Sequence, residues 1–129
     1  MDSSSYQISQ TQIEWFEKEL ATNKQILLFV HHPILELNTA IDTEYPLRNR
    51  EQIKLALLKS NRKTTIFCGH CHQPDERQEE NIKQFVTPAS AYQVEKDPRI
   101  ITTDNGSFGY RIIQIEGNRI NSEIVYFQN

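Results

Sequence analysis

No run of apolar residues in this chain approaches the roughly 18 that a membrane-spanning helix requires. The opening Met1-Asp2-Ser3-Ser4-Ser5 is polar and unlike a signal peptide. There is no strong charge of either sign: a net charge of -3 over 129 residues offers no surface for a nucleic-acid polymer or an acidic membrane. Internal repeats and low-complexity tracts are also missing. These absences lead to the expectation of a cytoplasmic globular chain, one domain over residues 1–129, with a lowish 37% of hydrophobic residues.

Cysteine is scarce as well, with Cys68 and Cys71 the only two, in a Cys-x-x-Cys spacing. A redox pair would open a helix after a strand, whereas here two histidines interleave and Pro74 follows. A small structural zinc site built from Cys68, His70, Cys71 and His72 has enough donors. It lacks a second Cys-x-x-Cys or a spaced histidine pair downstream, and stands as an alternative. The plainer reading makes Cys68 a small buried strand residue.

What the chain does have is histidine in two matched places. The apolar run Thr64-Thr65-Ile66-Phe67 leads into Cys68-Gly69-His70-Cys71-His72, and Gln25-Ile26-Leu27-Leu28-Phe29-Val30 leads into His31-His32-Pro33. All four histidines therefore sit at the ends of two strand-like runs. A helical pattern lies between the runs, so parallel strands are expected, and these would bring the imidazoles to one sheet edge, where open α/β folds place ligands. Each histidine alone reads as an ordinary surface or core residue. The matched set points to a metal site with a spare ring for acid–base work.

Around these loops the pattern is that of an α/β unit. Ser9 with Gln12 forms a capping box, and Ile8 with Ile13 a staple, ahead of a helix with Ile13, Phe16 and Leu20 on one face that stops near Asn23. The run from Gln25 to His31 is apolar enough for a strand buried on both faces in the sheet interior. A long connection through Asn38, Asp42 and Pro46 suits a substrate-side loop or a plain surface excursion. Asn49 is placed to cap a second helix carrying Ile53 and Leu57, which Ser60-Asn61 ends. The polar segment from Asp75 to Asn81 reads as a solvated turn, and Ile82 to Val86 as a short strand. Ser90 and Gln93 serve turn packing or reach a substrate. Gly117-Asn118 joins the last two strands in a tight hairpin.

Taken together, His31-His32-Pro33, Gly69-His70-Cys71-His72, Thr87-Pro88-Ala89-Ser90, Gln93 and Gly109-Tyr110-Arg111 resemble the late motifs of the calcineurin-like metallophosphoesterases. Within them the chain is most similar to the bacterial cyclic-nucleotide phosphodiesterase (Icc-type) branch. The resemblance implies one half of a four-layer α/β/β/α sandwich, a mixed sheet with two helices and a C-terminal β-hairpin. It implies His31 and His70 as ligands of a second metal, His72 as a ligand of the first, and His32 as a catalytic or supporting neighbour. Iron, manganese or zinc would suit such a centre, and a metal-bridging hydroxide would attack a phosphodiester such as a cyclic nucleotide in line.

The early motifs of that family, Asp-x-His, Gly-Asp-x-x-Asp and Gly-Asn-His-Asp/Glu, are absent. The chain thus looks like the carboxyl-terminal portion of such an enzyme. Alone it is expected to bind metal weakly or not at all, to be inactive, and to form a homo-oligomer through the uncovered sheet face. The competing reading is a non-catalytic binding or regulatory half-domain.

Overall fold

The computed structural model describes residues 1–128. Its main sheet has four strands: β1 (Ile26–Phe29), β2 (Thr64–Cys68), β3 (Asp75–Glu79) and β4 (Ile82–Val86), in the spatial order β1-β2-β4-β3. β1, β2 and β4 are parallel and β3 runs antiparallel to β4. Two ribbons follow, the short pair β5 (Gln93–Val94) and β6 (Thr103–Asp104), then the long hairpin β7 (Ser107–Glu116) and β8 (Arg119–Gln128). The fold is the expected mixed α/β arrangement with its terminal hairpin.

Helix α1 (Gln10–Glu19) starts as the capping pattern requires, with the Ser9 hydroxyl accepting from the Gln12 amide at 3.3 Å. The Gln12 side chain does not close the box on Ser9; its oxygen takes the Asp2 amide at 2.9 Å, tying the first residues to the helix. Ile8 and Ile13 are both fully buried on either side of the cap. The helix stops at Glu19, with Leu20 as its cap, before the expected Asn23.

Helix α3 (Arg50–Ser60) ends as expected, Asn61 adopting the left-handed conformation at its cap. Asn49 occupies its N-terminal position without capping it. Its amide instead bonds both backbone groups of Ile8, at 3.0 and 2.9 Å, clamping the approach to α1 against the approach to α3. A third helix, α2 (Ala40–Glu44), capped by the Thr39 hydroxyl, occupies the long connection where only a loop was read. It is five residues long, too short for hydrophobic periodicity to reveal. Buried Asp42 anchors it, accepting from the Leu37 amide at 2.8 Å and pairing with Arg50 at 2.8 Å.

One face of the sheet carries the core, where Leu28, Ile66, Ile82 and Val86 join Ile13 and Phe16 of α1 and Ile53 and Leu57 of α3. On the other face the register aligns Phe29 with Phe67 and Phe67 with Phe85, and the three rings stack at 5.5 and 5.4 Å.

Two sequence expectations change here. β1 is an edge strand, pairing only with β2 among the described residues, and Phe29 is 52% exposed. The strand buried throughout is β2. An apolar run marks a strand built for two covered faces, and it does not reveal which flank lacks a neighbour. The segment read as a polar turn, from Asp75 to Asn81, forms β3: its charged side chains pair across the sheet edge, as Lys83 with Glu76 at 2.7 Å. Charged residues on an edge strand are how sheets resist further pairing, so polarity there disguises a strand as a turn.

Candidate functional site

The carboxyl ends of β1, β2 and β4 open into a cleft of about 520 Å³. The turn after β1 delivers His31 and the loop after β2 delivers His70 and His72, so three of the four histidines line it. The two loops are tied directly, the Gly69 amide donating to the His31 carbonyl at 3.0 Å. His70 and His72 both hold left-handed backbone, with φ of 63° and 50°. Among L-residues this conformation is uncommon and costs about 1–2 kcal/mol each, so the surrounding loop must impose it.

The rings of His31 and His70 meet edge-on at 5.2 Å between centres. His70 Nε2 lies 2.9 Å from the Tyr45 carbonyl. A carbonyl only accepts, so Nε2 carries the proton and Nδ1 keeps its lone pair, the orientation that a ligating imidazole usually receives from a backbone acceptor. His72 packs on Tyr92 at 4.5 Å, and its buried Nδ1 has no protein partner. Burial, and the charge of His72, hold His31 below the ordinary imidazole range; burial does the same to His70, partly offset by its bond to Tyr45. Neutral rings are the form that donates to a cation.

His32 is elsewhere. It is 2% exposed, behind the cleft, with its ring 4.0 Å from that of His70 and 4.9 Å from Tyr6. Its Nδ1 shares a hydrogen bond of 2.9 Å with the Ser3 hydroxyl, and its Nε2 is buried without a protein partner. Burial, then the charges of His70 and His31, push its pKa down to about 4. It can steady His70 but does not face the cleft.

The donor set is incomplete for a metal centre. Among the described residues no three His, Cys, Asp or Glu side chains close on a common point, and no carboxylate lines the cleft. The aspartates nearest in sequence are committed elsewhere, Asp42 to Arg50 and Asp75 to Arg77 and Lys96. The zinc alternative fails the same geometric requirement. Cys68 and Cys71 are buried in the core cluster, and burial raises both thiols, Cys71 to about 12, away from the thiolate that zinc binds.

Two side-chain roles escaped the sequence reading, those of Gln84 and Arg111. Buried Gln84 of β4 accepts the amides of Ile34 and Leu35 at 2.8 and 2.7 Å and donates to the Leu35 carbonyl at 2.8 Å. It thereby fixes the turn that carries His31, and a glutamine inside an otherwise apolar strand was the available signal. Arg111 reaches from β7 into the cleft. Gln93, an open case between substrate and packing, is buried and bonds the Ala89 carbonyl at 2.7 Å.

No protein-family model matches the chain. It is 29% identical over its whole length to a probable cyclic nucleotide phosphodiesterase of Fibrobacter succinogenes, of which it spans 51%. With a 3',5'-cyclic-nucleotide phosphodiesterase of Nostoc it shares 24% identity over 84% of the chain, and with a 3',5'-cyclic adenosine monophosphate phosphodiesterase of Haemophilus influenzae 26% over 87%; it spans 41% and 42% of these. A dimetal phosphatase from Danio rerio superposes with a TM-score of 0.55 at 14% identity, over 94% of the chain and 38% of the phosphatase. The chain thus spans about half the length of the curated relatives it matches. It is similar to part of the bacterial cyclic nucleotide phosphodiesterases, carries part of the dimetal phosphatase fold, and fits a carboxyl-terminal portion of it.

Proposed function

We propose that residues 1–129 form, as one unit, the carboxyl-terminal part of a binuclear-metal phosphodiesterase acting on a small phosphodiester of the cyclic-nucleotide kind. The observation that carries this reading is the cleft itself. His31, His70 and His72 line one cleft at the ends of parallel strands without closing on a common point, and no carboxylate joins them there. In the reading, these imidazoles are one share of a larger donor set, with His31 and His70 toward one divalent ion of iron, manganese or zinc and His72 toward the other, and the carboxylates belong to the remaining length of the parent. His32 acts through His70 rather than on substrate.

Edge strand β1 supports the same view, because an almost wholly apolar strand with one unpaired flank is shaped for a further neighbour. Without the carboxylates the chain alone is inactive. No helix among the described residues is long and apolar enough to cross a membrane, and the two unpaired cysteines favour the reducing cytoplasm as the compartment.

A phosphodiesterase assay with manganese on the chain and on His70→Ala tests the inactivity, with no turnover above buffer expected from either. Turnover in the first that is lost in the second would show the half site to be sufficient. The activity of the parent is tested separately, by fusing the chain to the preceding half of the Fibrobacter relative. Metal-dependent cleavage of a cyclic nucleotide that His70→Ala abolishes is the supporting result; a folded, metal-loaded fusion without it would overturn the reading.

A further inference from the structure

Several cations of the main sheet and its connections are matched by a carboxylate, as Arg50 by Asp42, Arg77 by Asp75 and Lys83 by Glu76. Arg111 is not: among the described residues it has no ion pair, although it is half-buried in the cleft wall. Its guanidinium is nonetheless held firmly. Nη2 donates to the Val86 carbonyl at 3.0 Å, Nη1 to the Ser122 hydroxyl at 3.0 Å and Nε to the Thr87 hydroxyl at 3.4 Å, and the Phe85 ring lies 5.0 Å from its central carbon. Those bonds occupy three of the five N–H donors that a guanidinium carries, leaving the others free.

The surroundings set the sign of what those donors can take. The cleft is lined by three imidazoles and this guanidinium and by no aspartate or glutamate. Removing a charge from water without a close counter-charge is unfavourable, and burial disfavours the charged form of Arg111, an effect that the charge of Glu76 offsets only in part. A fixed, unpaired, partly desolvated guanidinium in a carboxylate-free cleft is complementary to an anion. Its planar fork matches the two oxygens of a phosphoryl group better than a single point charge does.

We propose that Arg111 is the anion-holding residue of this cleft and binds a phosphoryl oxygen of the substrate. This rests on the phosphodiesterase reading for its choice of anion, and deepens it by assigning substrate contact to a side chain of the terminal hairpin.

The experiment is a titration of the full chain, metal-free, with inorganic phosphate and separately with a 3',5'-cyclic nucleotide, following the Arg111 Nε–H resonance by NMR. Saturable movement of that resonance is expected with at least one of the two. Arg111→Gln should weaken binding about tenfold or more, Arg111→Lys should restore part of it, and Arg99→Gln, an exposed partner of Asp97, should change nothing. An unmoved Arg111 resonance in the unaltered chain would overturn the proposal even if the variants fail to fold, as would equal affinity in a folded Arg111→Gln. Either outcome leaves the phosphodiesterase reading to the fusion assay, and a fusion without activity leaves phosphate binding at Arg111 intact. Binding of phosphate alone would make the residue a reader of the monoester product; binding of both would make it a reader of the ester as well.

Discussion

The turn bearing His31 hangs on one buried amide. Replacing Gln84 by Leu keeps the side chain's bulk but strands two backbone N–H groups and a carbonyl in the core. Each unpaired buried group costs about 1–3 kcal/mol, so a stability loss of at least about 3 kcal/mol is expected, read as a lower denaturation midpoint with an unchanged urea slope. His32 gives a second residue-level expectation. Its folded pKa of about 4 lies below the ordinary 6.5, so the unfolded chain binds the extra proton first as pH falls. The stabilisation from the neutral ring is complete above pH 6.5, declines between 6.5 and 4, and is gone below. With one pKa unit worth about 1.4 kcal/mol, up to about 3 kcal/mol is at stake, and His32→Asn should flatten that part of a urea-denaturation pH profile. The histidines were legible because their type and spacing announced them. Gln84 and Arg111 were not, since their meaning lies in backbone groups brought to them from 25 to 50 residues away.

At the level of elements, local signals were read well and environments poorly. The Ser9 cap and the Gly117-Asn118 turn are each written within a few residues, and both form; Gly117 takes the left-handed φ of 58° that the hairpin turn needs. The partner of Asn49 and the placement of β1 depend on distant chain, and the strand at β3 was hidden by the polarity of a sheet edge; those readings changed. Gly109 shows how tightly the hairpin is seated: a methyl there would come within 2.8 Å of the Val125 carbonyl and 3.3 Å of Pro88. Because the tightest contact is the backbone of β8, Gly109→Ala should push β7 from β8 at that point, lower stability by about 1–3 kcal/mol and displace Arg111. A shift of the Arg111 Nε–H resonance in that variant, with weakened cross-strand contacts between residue 109 and Val125 and Tyr126, is the measurement.

Across the whole molecule, apolar surface is left without cover. The Phe29 end of the aromatic row is half exposed, and Tyr110, Tyr126, Phe127 and Ile115 lie open on the hairpin. Contiguous patches beyond a few hundred Å² are rare on soluble monomers, so self-association at micromolar concentration is expected from light scattering. A monomer that binds no hydrophobic dye would refute it. Changing Phe29 to Lys should shift the assembly toward monomer if the sheet face is the contact.

The left-handed backbone at His70 and His72 places two evolutionary pressures in opposition. Glycine fits that conformation without strain and asparagine nearly so, so a lineage under selection for folding alone would drift toward them at both positions. If histidine stands at these positions for the site and not for the fold, folding and turnover should select different residues there. A library randomised at 70 and 72, sorted once for folding and once for turnover in the fused enzyme, should enrich glycine and asparagine in the first pool and histidine in the second. Agreement between the pools would mean that the loop keeps its imidazoles for the fold.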